Sequence, residues 1–342
     1  MKRTFRKDIN GRIRSTNQQM IRILLLLFLI SFFMSCSLGT SSELNAVPEA
    51  EISPTPNIPK PPDAKPDAEL QKRFEQIAAE AKGKVGVYAM LIETGDTAGL
   101  NSARHFPMQS VYKLPISMAV MQQAEAEKLN LDEKVGVSKN DFVSPGQYSP
   151  IRDKYPNGTE LSVKDLIQYA ISESDGTASD VLMNLAGGAS KVQLYLTSID
   201  VNDINVANSE KEMAQEWKVQ YDNWVTPEAA VSLLLKMRDW REWRAGADEP
   251  KEWLTKFMAE STPGAKRLKG MLPAGTLVAH KTGTSGSRDD ITAATNDIGI
   301  IALPNGKHIA IAVFVSDSPA DEKTREAVIA KIAKAAYDKW SR

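Results

Sequence analysis

The segment Phe106-Pro-Met-Gln-Ser110-Val-Tyr-Lys113-Leu-Pro115 places a hydroxyl and an amine three residues apart at the start of an apolar run. If this run is a helix from Ser110 to about Ala126, the two side chains share a face, because positions i and i+3 are neighbours on a helix. A lysine held in a low-dielectric pocket can take the proton from a neighbouring serine and make it a nucleophile. From these residues alone, the alternative is a surface lysine close to a helix cap.

Two short polar fragments follow this segment and favour the nucleophile. Ser174-Asp175-Gly176 lies at a break between two stretches of helical periodicity, and Lys281-Thr282-Gly283 precedes two apolar, strand-like runs. Three such fragments in this order and at this spacing are much harder to obtain by chance than any one of them. Together they predict one catalytic site assembled from distant parts of the chain.

Hydrophobic periodicity around the fragments predicts an α/β sandwich. A helix that begins at Asp67 leads into a strand over residues 85–92, and two strands near the C-terminus are joined by the turn signal Pro304-Asn-Gly306. Residues 320–340 have the pattern of a closing amphipathic helix. This order predicts an antiparallel sheet formed from both chain ends and flanked by helices, with an inserted all-helical lobe. The site is expected in the cleft between the two.

The first 35 residues have the pattern of a secretory signal. Seven basic residues and one acidic residue precede an apolar run from Ile23 to Phe33, which is too short to span a bilayer as a stable helix. Ser35-Cys36 follows and is similar to the processing site of a bacterial lipoprotein, in which Cys36 would carry the lipid, although Phe33 departs from the usual leucine. An ordinary cleaved signal with an incidental cysteine is the alternative.

A proline-rich segment separates this signal from the globular part of the chain. Residues 36–66 contain seven prolines, a composition that predicts an extended linker. Residues 67–342 are then expected to form an exported catalytic domain in the periplasm or cell envelope, anchored to a membrane if Cys36 is lipidated. Because Cys36 is the only cysteine, no disulfide can form within the chain.

Charge and motif content argue against several other classes of protein. Residues 1–35 carry a net charge of +6 and the whole chain a net charge of −1, so residues 36–342 carry −7. This part of the sequence also lacks a cluster of basic residues, so nucleic acid is not an expected partner. The three histidines lie far apart without the spacing of a zinc site, so no metal site, and in particular no zinc hydrolase, is expected. The absence of a G-x-S-x-G motif argues against an α/β-hydrolase.

The three fragments together resemble the signature of serine β-lactamases and penicillin-binding proteins, S-x-x-K, S-D-N and K-T-G. Further segments narrow the resemblance to class A β-lactamases, in particular the cephalosporin-hydrolysing, extended-spectrum-like branch with glutamine before the nucleophile. These segments all lie within residues 67–342: Phe106–Val111, Tyr148–Pro156, Gln220–Trp224, Arg267–Gly270, His280–Gly286 and Thr292–Gly299.

The resemblance implies hydrolysis of the β-lactam amide bond in cephalosporins and penicillins, antibiotic resistance, and a monomer without a cofactor. Ser110 is expected to be the nucleophile, Lys113 its base or proton relay, and Ser174 the proton donor to the leaving nitrogen. The backbone N–H groups of Ser110 and Thr284 are expected to form the oxyanion hole. The residues expected to bind the substrate, including its carboxylate, are Tyr148, Gly176, Lys281, Thr282, Gly283, Thr284 and Arg267.

Class A enzymes also need a glutamate that aims the water for hydrolysis of the acyl-enzyme. Glu210, in Asn208-Ser-Glu-Lys-Glu-Met213, matches the Glu-x-x-Met pattern of the family at the expected distance before Trp224. Glu212 and Glu216 are alternatives from the same loop, and all three glutamates could simply form a solvated face. The sequence leaves open whether glutamate or lysine is the base for acylation.

Two positions depart from the family pattern. Gly176 replaces the asparagine of S-D-N, and Ala214 replaces a polar residue that helps to hold the hydrolytic water. Each departure removes one or two hydrogen bonds from a buried site, where a lost bond costs about 1–3 kcal/mol, so turnover slower than the family norm is expected. Gly176→Asn is therefore predicted to raise kcat/KM on cephalosporins, and an unchanged or lower value would count against this hypothesis.

Three alternative functions fit part of the pattern. A penicillin-binding protein or D,D-carboxypeptidase shares Ser110, Lys113 and Lys281 but lacks a deacylating glutamate, so Glu210 discriminates against it. A β-lactam-sensing lipoprotein would be acylated once and stay modified, which the departures at Gly176 and Ala214 permit. A structural lipoprotein would carry the motifs as relics. The full set of motifs favours hydrolysis.

Overall fold

Antiparallel strands from both chain ends form the centre of the protein in the computed structural model, which describes residues 65–237 and 253–342. The strands of this sheet are β1 (Lys84–Leu91), β2 (Thr97–Leu100), β8 (Val278–Thr284), β9 (Ser287–Arg288), β10 (Ile291–Ala302) and β11 (His308–Ser318). A three-stranded sheet contains β3 (Phe106–Pro107), β6 (Ile204–Asn205) and β7 (Trp224–Val225). A two-stranded sheet contains β4 (Lys134–Val137) and β5 (Thr159–Ser162).

Helices cover the sheet and form the inserted lobe. In chain order they are α1 (Ala68–Ala78), α2 (Lys113–Glu125), α3 (Pro150–Lys154), α4 (Val163–Ser172), α5 (Gly176–Leu185), α6 (Ala189–Ser198), α7 (Glu210–Met213), α8 (Pro227–Lys236), α9 (Trp253–Ala259) and α10 (Glu322–Trp340). Short 3₁₀ turns span Ala79–Ala81, Gln109–Tyr112 and Val219–Tyr221.

The strand order β2-β1-β11-β10-β8 confirms the predicted sheet made from both ends of the chain. The N-terminal strand β1 pairs with the C-terminal strand β11 from Lys84↔Ser316 to Leu91↔Ile309. The turn Pro304-Asn-Gly306 joins β10 to β11, as its sequence predicts. Strand β8, which carries the Lys281 fragment, therefore lies at one edge of this sheet and faces the helical lobe.

Alternation along β11 divides the hydrophobic core between two faces. Side chains from Ile309 to Val315 at odd positions pack with α1 and α10, whereas Ala310, Ala312 and Phe314 pack with the helical lobe. All of these side chains are fully buried. The sheet is thus covered on both faces, and its lobe-facing side positions β8 against the residues around Ser110.

The predicted α-helix from Ser110 is wrong in its first turn. Gln109–Tyr112 form a 3₁₀ turn that begins at a positive φ of 48° for Gln109, and α2 begins only at Lys113. Because side chains at i and i+3 eclipse in a 3₁₀ turn, Ser110 and Lys113 still share a face. By contrast, the sequence Thr226-Pro227 predicts a capped helix start, and α8 confirms it: Thr226 accepts a hydrogen bond from Ala229 N, and Pro227 takes the first position.

The proposed signal, Cys36 and most of the predicted linker lie outside the described residues. The last two residues of the predicted linker, Lys65 and Pro66, lie beside the edge strand β2. The Lys65 carbonyl accepts a hydrogen bond of 3.1 Å from Thr97 N. Across the two described ranges, 65–237 and 253–342, no helix has the length and apolar character needed to cross a membrane.

Candidate active site

A cleft of about 840 Å³ lies where the helical lobe meets β8. Residues from all three sequence fragments and from the Glu210 loop line it. Among the residues singled out from the sequence, the lining contains Ser110, Lys113, Tyr148, Ser174, Glu210, Ala214, Glu216, Thr282 and Thr284. Gly176, Lys281, Gly283 and Arg267 are buried around it.

The Lys113 ammonium lies at the centre of the polar contacts in the cleft. It is 2% exposed, which excludes the alternative of a surface lysine. Its Nζ donates to Ser110 Oγ at 2.8 Å and to the Ser174 carbonyl at 3.0 Å, and it forms an ion pair with Glu210 Oε1 at 2.6 Å. An ammonium has three hydrogens, so all three contacts can exist together. Lys113 therefore connects the Ser110 hydroxyl directly to the Glu210 carboxylate.

Ser174 lies between the two lysines of the site. Its backbone has a positive φ of 60° in the break between α4 and α5, and its Oγ accepts a hydrogen bond of 2.9 Å from Lys281 Nζ. Complete burial, and then the charge of Lys113, lower the pKa of Lys281 well below its ordinary value. Because Ser174 Oγ accepts from Lys281, its own hydrogen is available to a group in the cleft.

Asp175 fixes the backbone of the Ser174 fragment. Its fully buried carboxylate accepts hydrogen bonds from Ile151 N at 2.7 Å, Ala178 N at 2.8 Å and the Ser149 hydroxyl at 3.1 Å. These contacts cap α5 and join it to α3. Burial raises the pKa of Asp175 against the lowering effect of these donors.

Gly283 permits strand β8 to approach the turn that carries Ser110. A Cβ atom at this position would lie 2.3 Å from the Met108 carbonyl oxygen, a backbone atom that cannot easily move aside. The Asn296 amide, on the neighbouring strand β10, donates to the Pro107 carbonyl at 2.8 Å and holds the same turn. Any larger side chain at 283 would push the β8 wall away from Ser110.

Arg267 lies behind β8 and reaches the cleft through Thr284. One Nη donates to Thr284 Oγ1 at 2.8 Å, and the other donates to the carbonyls of Gly283 at 3.3 Å and Asn296 at 3.0 Å. Its Nε forms an ion pair with Glu326 on α10 at 3.3 Å. Arg267 is 4% exposed, so its guanidinium supports the wall and adds positive charge without an open face to solvent.

Of the three glutamates in the loop before Trp224, Glu210 is the one that contacts Lys113 within the described part of the chain. The Glu212 carboxylate turns back to Ser209, where it accepts from the backbone N at 2.8 Å and the hydroxyl at 2.9 Å. Glu216 is exposed at the cleft rim. The fold therefore distinguishes Glu210 from the two alternatives that its sequence neighbourhood offered.

Asp180 and Asn223 hold the Glu210 loop, and sequence reasoning missed both. The Asp180 carboxylate accepts from Glu210 N at 2.7 Å and Lys211 N at 3.2 Å, at the start of α7. Asn223 Oδ1 accepts from the backbone N atoms of Ala207 and Asn208, both at 2.8 Å. Asp180 is the single charged residue of helix α5, and this was the sequence signal that could have indicated it.

Tyr112 places a buried phenol beside the same carboxylates. Its hydroxyl accepts a hydrogen bond of 3.1 Å from Ser179 Oγ. Complete burial, followed by the negative charges of Glu210 and Asp180, raises the pKa of Tyr112 well above its ordinary value. The phenol consequently stays protonated at neutral pH.

Comparison with known proteins agrees with this geometry. A model of the β-lactamase enzyme family matches residues 69–340. The chain belongs to the class A serine β-lactamase family. The extended-spectrum β-lactamase PER-1 of Pseudomonas aeruginosa is 40% identical over 270 residues, which cover 78% of this chain and 86% of that protein.

Solved structures share the fold of this β-lactamase. The crystal structure of a β-lactamase from Chitinophaga pinensis has 44% identity and a TM-score of 0.75, with 79% of this chain and 99% of that one covered. A class A β-lactamase from Bacteroides cellulosilyticus has 34% identity and a TM-score of 0.72, with 80% and 98% covered.

The two departures from the family pattern have different surroundings in this β-lactamase. Gly176 is buried, and a Cβ atom there would lie 3.1 Å from the Tyr148 carbonyl oxygen and 3.4 Å from Glu210 Cγ. Ala214 is exposed in the cleft, so a polar side chain at this position would face solvent. The expectation that Ala214 removes a buried hydrogen bond is therefore wrong, whereas Gly176 does lie in a tightly packed place.

The pH dependence of stability is expected to carry the signature of Asp180. Burial raises the pKa of Asp180 to about 6, with the Glu210 charge as a further raising influence. A raised carboxyl pKa means that the native state binds the proton more tightly than the unfolded state, so unfolding free energy falls as pH rises between about 4 and 6. Relative to Asp180→Asn, the wild type is expected to lose about 1 kcal/mol between pH 5 and pH 7. Parallel denaturant titrations of the two proteins measure this difference, and equal slopes would contradict it.

Proposed function

We propose that this β-lactamase hydrolyses the β-lactam amide bond of cephalosporins and penicillins through an acyl-enzyme on Ser110, which a Glu210-activated water then releases. The observation that supports this proposal most strongly is the simultaneous contact of Lys113 with Ser110 Oγ and Glu210 Oε1. A proton that leaves the serine can pass through the lysine to the carboxylate, because each pair of groups is within hydrogen-bond distance.

Acylation begins when Lys113 gives a proton to Glu210 and, now neutral, takes the proton of Ser110. The Ser110 Oγ then bonds to the β-lactam carbonyl carbon, and the backbone N–H groups of Ser110 and Thr284 stabilise the oxyanion. As the carbon–nitrogen bond breaks, the hydroxyl of Ser174 protonates the leaving nitrogen. Ser174 recovers a proton from Lys281 or Lys113, both of which contact this residue. Glu210 then returns its proton through Lys113, so that both lysines are charged and the carboxylate is ionised again before deacylation.

The substrate carboxylate is bound at the β8 wall. Lys281 supplies charge, the hydroxyls of Thr282 and Thr284 donate hydrogen bonds, and Arg267 supports Thr284 from behind at 2.8 Å. The Tyr148 ring is 62% exposed at the opposite rim and offers an apolar surface to the substrate side chain. This arrangement holds the β-lactam carbonyl above Ser110.

Deacylation returns the enzyme to its starting state. Glu210 takes a proton from a water molecule, whose oxygen attacks the ester carbonyl, and the bond between that carbon and Ser110 Oγ breaks. The proton returns to the serine through Lys113. The Glu210 side chain is 14% exposed, so it is protected from bulk solvent yet reachable by a single water from the cleft.

The enzyme is proposed to be exported from the cytoplasm and to act as a monomer. The basic and apolar pattern of residues 1–35 supports secretion, and Ser35-Cys36 supports a lipid anchor in the cell envelope. Fractionation of the full chain and Cys36→Ser in a Gram-negative host tests the anchor. Release of the variant from the membrane fraction is expected, and identical fractionation of the two proteins would contradict the anchor but not the hydrolysis.

Resistance of a host cell tests the function itself. Expression of the full chain in a β-lactam-susceptible Gram-negative bacterium is expected to raise the minimum inhibitory concentration of a cephalosporin, and Ser110→Ala at equal abundance is expected to abolish the increase. Envelope protein that gives no protection would contradict the proposal and would fit a penicillin-binding protein.

A further inference from the structure

The side chain of Gln147 crosses from the loop before Tyr148 to the loop that carries Glu210. Its Nε2 donates to the backbone carbonyl of Glu210 at 2.5 Å and lies 3.4 Å from Oε2 of the Glu210 carboxylate. A side-chain amide has two N–H donors, so both contacts can be made at once. Gln147 thus contacts both the backbone and the carboxylate of the same residue.

Neighbouring groups fix the orientation of the Gln147 amide. Its Oε1 accepts from the Ser144 hydroxyl at 3.1 Å and from Ser144 N at 3.3 Å, and a backbone N–H can donate only to the oxygen end of an amide. Arg152 holds the loop itself, because its Nη1 donates to the carbonyls of Ser144 at 2.7 Å and Gln147 at 2.9 Å. The nitrogen end of Gln147 is therefore directed at Glu210.

The two oxygens of the Glu210 carboxylate have different partners. Oε1 pairs with Lys113 at 2.6 Å, and Oε2 faces the Gln147 amide. Neither Gly176 nor Ala214, where the family pattern has polar side chains, can donate a side-chain hydrogen bond. Gln147 supplies an amide in the region where the asparagine of S-D-N is absent.

Gly176 makes room for this contact. Its backbone N donates to the Tyr148 carbonyl at 3.0 Å, which draws the Gln147 loop against α5. A Cβ atom at 176 would approach both the Tyr148 carbonyl at 3.1 Å and Glu210 Cγ at 3.4 Å. A larger side chain at 176 would thus compete with Gln147 for the space beside Glu210.

We propose that Gln147 is a positioning residue for deacylation, whose amide orients the Glu210 carboxylate in place of the amide missing at position 176. This inference rests on the proposed acyl-enzyme function. Because Gln147 contacts Oε2 of Glu210 and leaves the pair of Oε1 with Lys113 in place, its removal should slow hydrolysis of the acyl-enzyme and leave its formation nearly unchanged.

Steady-state kinetics of the full chain on a chromogenic cephalosporin test the proposal. When deacylation alone slows and becomes limiting, kcat and KM fall together while kcat/KM stays constant. Gln147→Met, which keeps the side-chain length but removes the amide, is expected to lower kcat about tenfold, as the loss of one hydrogen bond to a charged group predicts. Acyl-enzyme should accumulate on Ser110 by mass spectrometry. Gln71→Met, the same change on the exposed face of α1, is the matched control and should leave both constants unchanged.

Three results would overturn the proposal: unchanged kcat and KM, a fall in kcat/KM at constant KM, or no acyl-enzyme at steady state. Gln147→Asn gives a second variant that keeps a polar amide but shortens it, and kcat should again fall. Gly176→Asn should restore kcat in the Gln147→Met background. In the wild type the same change should raise kcat less, or lower it. Additive effects of the two substitutions would contradict the proposal that the Gln147 amide replaces the one missing at position 176. Wild-type protein that is acylated without turnover would instead refute the proposed function.

Discussion

Ser110→Ala is expected to lower kcat/KM on a chromogenic cephalosporin by at least about 10⁴-fold, the scale seen when a serine nucleophile is removed. The reason is that Ser110 carries the hydroxyl that Lys113 contacts, so its removal leaves the lysine without a nucleophile to activate. Lys113 keeps its contacts with Ser174 and Glu210, so the fold should survive the change. Initial rates and intact-protein mass after incubation with substrate measure both the loss of activity and the absence of an adduct.

Ser198→Ala is the matched control for this change. Ser198 is exposed on α6, where its hydroxyl donates to the Tyr195 carbonyl, and it is not among the residues that line the cleft. Its variant should keep full activity. Substantial hydrolysis by Ser110→Ala, at a melting temperature equal to that of the control, would exclude Ser110 as the nucleophile.

Glu210→Gln is expected to lower kcat about 10³-fold, within the range for loss of a positioned general base. Acylation should slow as well, because Lys113 loses the carboxylate that takes its proton, but hydrolysis of the acyl-enzyme should slow more, because Glu210 acts directly on the water. The acyl-enzyme on Ser110 should therefore accumulate and be visible by mass. The change also leaves the buried Lys113 ammonium without its paired carboxylate, and unfolding free energy should fall by about 2 kcal/mol. Stopped-flow kinetics, mass spectrometry and a denaturant titration measure the three effects.

Glu212→Gln makes the same chemical change two residues away and serves as the control. Its carboxylate caps the helix start at Ser209 and is exposed, so catalysis should be unaffected and stability should fall by about 1 kcal/mol or less. If Glu212→Gln accumulated acyl-enzyme and Glu210→Gln did not, the assignment of the hydrolytic base would move to Glu212.

Local signals in the sequence predicted much of the fold. Thr226-Pro227 marked a helix start and Pro304-Asn-Gly306 marked a hairpin, because capping and turn chemistry depend on adjacent residues. The prediction that the polar fragments around Ser110 and Ser174 share one cleft relied on their order in the chain. That order matches a family resemblance, and the resemblance itself implies a fold. The elements and the main members of the site could therefore be inferred before any coordinates.

The remaining contacts depend on tertiary packing and have no local signature. Gln147 is one glutamine in a polar loop until that loop is placed beside Glu210. Asp180 accepts hydrogen bonds from two backbone N–H groups that lie 30 and 31 residues further along the chain. The 3₁₀ turn before α2 lies against β8 at Gly283, a contact that a pattern of apolar residues cannot show.

These tertiary contacts change the interpretation of the two departures. From the sequence, Gly176 and Ala214 both indicated lost hydrogen bonds and slow turnover. In the structure Ala214 faces the open cleft, and Gly176 lies beside a loop whose Gln147 reaches Glu210. The presence of Gly176 and Ala214 therefore does not by itself imply slow turnover. The effect of Gly176→Asn should depend on whether Gln147 is present.

The number of product equivalents released per protein tests the central claim most directly. The full chain is mixed with a large excess of chromogenic cephalosporin, and product is followed from the first turnover onward. The predicted result is many equivalents of product per protein, and Ser110→Ala should abolish this release. Many equivalents require both acylation of Ser110 and Glu210-dependent hydrolysis of the acyl-enzyme. A single burst of about one equivalent, with the added mass retained on Ser110, would contradict hydrolysis and identify a protein that is acylated without turnover.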